Sequence, residues 1–487
     1  MMWWLRERRS LAGGRSRACV EVELRLTAAT VASAAGGQLV AGDPTSIIEG
    51  FSIDSRTLKP GDLFFAIRGE RFDGHAYIAA AVEGGASGVI VDDAGTAAGV
   101  AGGRTVIVVG DTIAALQSLA RHIRRESGAK VTAITGSAGK TTTKETAAAF
   151  LEQRYSVFRN RGNLNNHIGL PLSLLELRHG PEMAVVELGM NHAGEISRLV
   201  RIAEPDVRVW TNVGPAHLEF FGSVEAIADA KAEILENARP AHVLVANADD
   251  PLVLARARRF GGRVVTFGLT ASADVRASDV HDLGLDGVEA TLQTPGGQAR
   301  FRSPLVGDAN LANVLAATAV AQEFDVPLRD IVAKAATLRP MRHRFEVHRL
   351  ASGVTVIDDS YNSNPIALER SLQVLGAQQG ATRRVGIIGE MLELGEASPA
   401  WHERCGRAAA AARLDRLVTV GGDPVRALGR AAVAAGLAEA LVTHVATSPD
   451  AARVAAGWVV KGDVVLVKGS RGIRTEVVVE RLIEKFG

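Results

Sequence analysis

Short runs of β-branched residues alternate with Ala-rich stretches whose apolar positions recur at helical spacing, and this alternation predicts parallel α/β architecture. The first block, residues 26–109, opens on TAATVASAAGG, a helical pattern that Gly36 and Gly37 stop. Strands are expected after it at 62–67 (DLFFAI), 88–91 (GVIV) and 105–109 (TVIVV). A second block begins near Asp111 with an amphipathic helix, then a strand at 131–135 (VTAIT), a glycine-containing loop and a helix at 141–152. Further strands read at 184–188, 207–213, 243–246 and 264–267. Residues 274–302 are Gly-rich with weak alternation, which predicts a small antiparallel excursion, and a helix at 311–324 closes the block. Arg339-Pro340 marks a boundary. The third block has strands at 355–358, 384–388, 416–420 and 464–467 between Ala-rich helices, the pattern of a doubly wound sheet. No repeat of fixed period runs through the chain.

The chain has 487 residues, enough for about three domains. The expected divisions are 24–110, 111–337 and 338–487. Hydrophobic residues make up 47% and charged residues 22%, as in ordinary soluble proteins. Lys and Arg total 55 against 54 Asp and Glu, so no global field points to nucleic acid or to a membrane surface. Anionic substrates must then be handled by local sites. The two cysteines, Cys19 and Cys405, lie in different blocks and outside any CxxC, which argues against a disulfide scaffold or a structural zinc and fits a reducing, cytoplasmic setting. No apolar run reaches the ~18 residues that span a bilayer. Arg6, Arg8, Arg9, Arg15 and Arg17 crowd the N-terminus, and the apolar stretch 1–5 is too short for a secretory signal. A transit peptide shares that composition; a disordered extension or an upstream start codon is the plainer expectation.

The strongest chemical signal is Thr135-Gly136-Ser137-Ala138-Gly139-Lys140-Thr141-Thr142, between a β-branched strand and a helix. That is the setting of a phosphate-binding loop, in which successive backbone N–H groups and a helix N-terminus face phosphate oxygens. Lys140 would reach the β/γ-phosphates and Thr141 would offer its hydroxyl to magnesium. The generic GxxxxGK(S/T) pattern asks for glycine where Ile134 stands. A glycine turn with an incidental lysine is the bland alternative. Glu187 ends the strand MAVVEL, where a carboxylate can hold a hard cation or make a strand-end salt bridge. His217, in GPAHLE, also follows a strand, and a lone loop histidine is commonly structural. Lys231 lies in a helical stretch, 226–237, and a lone helix lysine is commonly solvated.

Taken together these residues resemble the Mur ligase family of ATP-dependent amide ligases, whose loop also lacks the first glycine of the generic motif. TGSAGKTTTKE carries the resemblance with NLNNHIGLPLSLL (163–175), VVELGMNHAGEI (185–196), TNVGPAHLEFFGS (211–223) and GDANLANVLAA (307–317). HRFEV (343–347), DDSYNSNP (358–365), GEMLELGE (389–396) and VLVKGSRG (465–472) continue it. DSRTLKPGDLFFAIRGERFDGH (54–75) resembles the family's UDP-binding domain. ELGMN and DDSYNSNP are similar to the forms in the branch that adds D-alanyl-D-alanine, and the DNPR-like signature of the diaminopimelate- and lysine-adding relatives is absent. Folylpolyglutamate synthases share the loop but not the DSR-type front. Departures are small: His167 stands where an acid is common and Ala138 where Ser or Asn is common.

The resemblance implies a small UDP-binding α/β domain, a central ATPase-type parallel sheet and a Rossmann-like C-terminal domain. It implies a ligase that joins D-alanyl-D-alanine to UDP-N-acetylmuramoyl-tripeptide through an acyl phosphate, using ATP and Mg2+. Gly136, Ser137, Ala138, Gly139, Lys140, Thr141 and Thr142 would cradle ATP, with Asn310 on the adenine side, Asp359 at the ribose and Arg344 at the γ-phosphate. Thr141 and Glu187 would hold one magnesium; His217 and a carbamylated Lys231 would serve a second. Asp54, Ser55 and Arg56 would meet the UDP moiety, Asn165 and Asn166 the muramoyl side, and Lys468, Ser470 and Arg471 the incoming dipeptide. A monomer without nucleic-acid or membrane partners is expected. The competing readings are a Mur-type ligase for another amine and a P-loop switch or motor.

Overall fold

A computed structural model describes residues 23–487 apart from residues 70, 71, 98, 99, 101, 217 and 271. The expectations for the Arg-rich N-terminus, for Cys19 and for His217 lie outside the described residues.

Among the described residues the chain builds three sheets in sequence order. The first runs Gln38–Ala41, Thr105–Val108, Gly88–Val91, Asp62–Phe65, Gly50–Ser52, parallel except for its first strand. The second runs Val157–Arg159, Met183–Glu187, Lys130–Thr135, Val207–Trp210, Val243–Asn247 and Arg263–Gly268, all parallel. Val275–Asp282 joins it in parallel, and Val288–Thr294 and Gly297–Ser303 then extend it antiparallel, as the weak alternation predicts. The third runs Glu346–Arg349, Thr355–Asp359, Asp463–Lys468, Arg383–Gly389, Arg416–Val420, Val442–Val445, with only the first strand antiparallel.

Helices cover both faces of the second sheet, so its central strands are mostly apolar, and Met183–Glu187 and Val243–Asn247 are buried at every position, including the polar Glu187 and Asn247 at their ends. The helix Thr112–Glu126 joins the first sheet to the second. Asp111 caps it by accepting the N–H groups of Ile113 and Ala114 at 2.8 and 2.9 Å. Leu116, Leu119, Ala120 and Ile123 form its buried stripe, in one core with Leu63, Phe65 and Ile107 of the first sheet and Leu170 and Leu174 of the second unit. Each such Leu or Ile contributes about 1.5–3 kcal/mol by leaving water. On the opposite face the helices Lys140–Leu151 and Asp308–Glu323 pack together over Ile134, Val185 and Val209.

The predicted strand 207–213 is shortened to Val207–Trp210. Residues 211–213 leave the sheet after Trp210 because their polar groups serve the phosphate loop and its surroundings: Thr211 Oγ1 donates to Ala138 O at 2.7 Å, and Val213 N–H donates to Asp250 at 2.7 Å.

The strand ends of the second and third sheets approach each other. Glu219 N–H donates to Glu393 O at 3.3 Å, and Arg349 pairs with Asp286 at 2.7 Å. A Cβ at Gly214 would lie 2.7 Å from Ile366 Cδ1. The loops after the parallel strands, where ligands bind in open α/β sheets, therefore share one cleft.

Candidate active site

The phosphate loop is held from beneath by the turn after Trp210. Ser137 N–H donates to Asn212 O at 3.0 Å, and Ala138 N–H donates to Asn212 Oδ1 at 2.9 Å. Asn212 Nδ2 returns a bond to Ala138 O at 3.1 Å. Gly139 sits at the N-cap with φ 80°, a left-handed conformation, and a Cβ there would lie 2.3 Å from Asn313 Oδ1. Beyond it the N–H groups of Gly139, Lys140, Thr141 and Thr142 have no acceptor among the described residues. These are the orphan donors of a helix N-terminus, aimed out of the loop, and they fit a phosphate. Lys140 Nζ folds over the loop and donates to Gly136 O at 2.8 Å.

Glu187 comes from the adjacent strand end. Its Oε2 accepts the Thr141 hydroxyl at 2.6 Å and its Oε1 accepts Asn165 Nδ2 at 2.9 Å. Its own N–H donates to Asn160 Oδ1 at 3.1 Å. Burial pushes this carboxyl up, but the Lys140 ammonium, the Thr141 hydroxyl, Arg344 and Asn165 outweigh it, so Glu187 lies below the usual carboxylate range. A hydroxyl and an ionised carboxylate in contact form an oxygen donor set that fits a hard divalent cation such as Mg2+. Burial lowers Lys140 and the Arg344 charge adds to that, with Glu187 opposing.

Lys231 departs from the solvated reading of a lone helix lysine. It is 2% exposed on the helix Val224–Ala232. Its sequence neighbours are engaged elsewhere: Asp229 with Arg256 at 2.7 Å, and Glu233 with the N–H groups of Gly194 and Ser197 at 2.6 and 2.9 Å. Burial, then the Lys140 charge, lowers the Lys231 amine well below its ordinary value, with Glu187 opposing.

The third sheet brings Asp359 and Arg344 to the same cleft. Asp359 Oδ2 accepts Lys468 Nζ at 2.6 Å and Ser371 Oγ at 2.8 Å. Lys468 is thus buried in an ion pair. Ser470 is also buried; it accepts Leu392 N–H at 2.9 Å and donates to Ser363 O at 3.4 Å. Of the three residues expected at the dipeptide, Arg471 alone is exposed, with Glu476 at 3.6 Å. Asn310 lies in the first turn of Asp308–Glu323, accepts from Asn313 at 3.3 Å, and Asn313 in turn accepts the Thr143 hydroxyl at 3.1 Å. Asn165 reaches Glu187, whereas Asn166 Oδ1 accepts Gly169 N–H at 2.8 Å.

Asp54 and Arg56 close on one another at 2.6 Å next to Ser55, and the hydrogen bonds from Arg56 bring the Asp54 carboxyl down to about 2. Among the described residues no hydrogen bond or ion pair links this trio to the phosphate loop. Sequence reasoning missed Asn160, Thr211, Asn212 and Asn313, which support the loop and Glu187. Their signal was polar side chains directly after buried strands or inside an apolar helix, which needs the strand order to interpret.

Three family models cover these regions: the Mur ligase middle domain matches residues 134–321, the "Mur ligase, glutamate ligase domain" residues 343–471, and the "Mur ligase family, catalytic domain" residues 47–124. The UDP-N-acetylmuramoyl-tripeptide–D-alanyl-D-alanine ligase of Bacillus subtilis is 34% identical over 443 residues, 90% of this chain and 94% of that protein. The chain belongs to the Mur ligase family. This Mur ligase also superimposes on solved relatives. A crystal structure of MurF from Acinetobacter baumannii gives a TM-score of 0.85 at 32% identity, covering 95% of this chain and all of that one. MurF from Thermotoga maritima in complex with ADP gives 0.77 at 31% identity, covering 90% and 98%. The three-sheet α/β architecture of this Mur ligase is therefore that of the MurF structures.

Proposed function

We propose that this Mur ligase joins D-alanyl-D-alanine to UDP-N-acetylmuramoyl-tripeptide, consuming ATP and releasing ADP and phosphate. The observation that carries the reading is the Thr141–Glu187 contact of 2.6 Å beneath a helix N-terminus with unpartnered N–H groups, in a cleft shared with Arg344. The names of the relatives supply the substrates.

The terminal carboxylate of the tripeptide attacks the γ-phosphorus, ADP leaves, and an acyl phosphate forms. The dipeptide amine then adds to the acyl carbon and phosphate departs. Two anions must meet for the first step, so the protein's work is positioning and charge neutralisation. The loop N–H groups and Lys140 hold the phosphates, and Arg344 meets the γ-phosphate from the third domain. Asp359 takes the ribose and Asn310 the adenine side. Asp54, Ser55 and Arg56 bind the UDP end; Asn165 and Asn166 lie toward the muramoyl group, and Lys468, Ser470 and Arg471 toward the dipeptide. Thr141 and Glu187 would hold one Mg2+, and His217 with a carbamylated Lys231 would serve a second. Bound magnesium offsets the negative charge that develops on the transferring phosphoryl group. The reaction runs in the cytoplasm on a monomer, in domains 24–110, 111–337 and 338–487.

The test is phosphate release from ATP with the UDP-tripeptide, comparing D-alanyl-D-alanine with single amino acids as acceptor. Release should require the dipeptide. Release independent of any amine overturns the ligase reading, and preference for a single amino acid reassigns the acceptor.

A further inference from the structure

Arg344 is the cation that the third domain offers to the phosphate site, and the Glu187 carboxylate feels its charge without forming an ion pair with it. Among the described residues its guanidinium has no ion pair or side-chain hydrogen bond; it lies over the Tyr361 ring, 4.1 Å from the centroid. Arg471 approaches the same ring at 5.5 Å. An aromatic face attracts a guanidinium through its quadrupole and consumes none of the five N–H donors. A carboxylate partner would orient the group equally well but would cancel the charge needed at a phosphate.

The backbone around Arg344 is constrained for the same purpose. His343 and Phe345, the residues on either side, have φ of 62° and 56°, left-handed values that non-glycine residues adopt at a cost. Tyr361 N–H donates to His343 O at 3.0 Å, and His343 Nδ1 contacts Asp358 Oδ2 at 2.7 Å. Tyr361 therefore fixes Arg344 twice, by its ring and by its main chain. Strain retained on both sides of one functional cation marks a conformation that the surroundings enforce.

We infer that Tyr361 is a positioning residue for phosphoryl transfer: its ring aims the Arg344 guanidinium at the γ-phosphate with all donors free and packs Arg471 against the same ring. The inference rests on the proposed role of Arg344. Tyr361 touches no reacting atom and acts only through the arginines.

The test uses the full chain and two nucleotides. Tyr361→Leu should lower kcat by about tenfold, the scale of a desolvated cation–π contact. It should weaken binding of a non-hydrolysable ATP analogue by a similar factor and leave ADP affinity unchanged, because ADP lacks the phosphate that Arg344 meets. Tyr361→Phe keeps the ring and should recover most of the loss. Adding Tyr361→Leu to Arg344→Ala should cost little more than Arg344→Ala alone, because both remove one interaction. Melting temperature and ADP binding report folding, and Tyr361→Ile replaces Leu should that variant unfold. Equal loss of ADP and ATP-analogue affinity, losses additive with Arg344→Ala, or a Phe variant as impaired as Leu overturns the inference. Nucleotide binding needs no acceptor, so these results stand apart from amide formation by the unaltered enzyme, whose failure would sink the proposed reaction instead.

Discussion

The Thr141 hydroxyl donates to Glu187 across 2.6 Å, tying the first turn of the Lys140–Leu151 helix to the end of the neighbouring strand. The contact joins two oxygens that a hard cation would take together. Glu187→Gln keeps an acceptor for the hydroxyl and removes the charge. Half-saturation of phosphate release by magnesium should shift upward by roughly 10–100-fold, and the melting temperature should change little. A magnesium titration at fixed ATP checks both; an unchanged midpoint would remove Glu187 from the cation site.

Lys140→Ala tests the neighbouring charge. Among the described residues the ammonium makes one hydrogen bond, to Gly136 O, so the loop should keep its shape. The catalytic barrier should rise by about 3 kcal/mol or more, as when a key electrostatic donor is removed. Single-turnover phosphate release with a thermal melt separates the two effects, and wild-type turnover would refute the assignment.

The strands legible in the sequence are the central ones. Those that sequence patterns failed to announce, Gln38–Ala41, Gly50–Ser52, Val157–Arg159, Glu346–Arg349 and Val442–Val445, all lie at sheet edges. An edge strand is covered on fewer sides, so its apolar pattern is diluted, as the mostly exposed positions of Gln38–Ala41 illustrate. The phosphate loop was legible because its chemistry is local: one turn of backbone carries it. Asn212 and Asn313 were not, since they reach Ala138 and Thr143 across 74 and 170 residues of chain. Lys231 was legible only through resemblance; on its own helix it reads as a surface lysine, and tertiary packing buries it.

His402 makes stability depend on pH. It is fully buried; Nε2 accepts Met391 N–H at 3.0 Å, and Nδ1 donates to Ser398 O at 2.8 Å, a pairing that requires the neutral ring. Burial pushes its pKa below 6.5, against smaller opposing effects of Ser398 O and Glu390. The unfolded chain takes up a proton near the ordinary value of about 6.5, whereas the folded one does so only at lower pH. Between those values the unfolded state binds more protons, so this contribution is present above about pH 6.5 and is lost as pH falls. Urea unfolding should show His402→Gln less stable than wild type at about pH 8 but with a flatter decline toward pH 5. Parallel declines would locate the acid sensitivity elsewhere.

Lys231 separates stability from activity most sharply. Its amine is buried at 2% exposure, its pKa is driven down by burial and by Lys140, and Asp229 is committed to Arg256. A lysine whose folded pKa is depressed is protonated more readily unfolded than folded, so between the two values stability rises with pH. Lys231→Met removes that penalty and keeps a similar apolar length, so the variant should melt no lower than wild type near neutral pH. Activity should nearly vanish, because a thioether is no ligand for a hard cation. The neutral amine favoured here is also the form that combines with CO2 to give a carbamate, whose two oxygens and negative charge suit magnesium. The rate should then fall when dissolved CO2 is stripped and return when it is restored. Lys231→Ala should recover part of its rate with added short-chain carboxylate, while Lys140→Ala should not. Full activity of unrescued Lys231→Ala, or indifference of the wild type to CO2, would leave Lys231 as a buried structural amine.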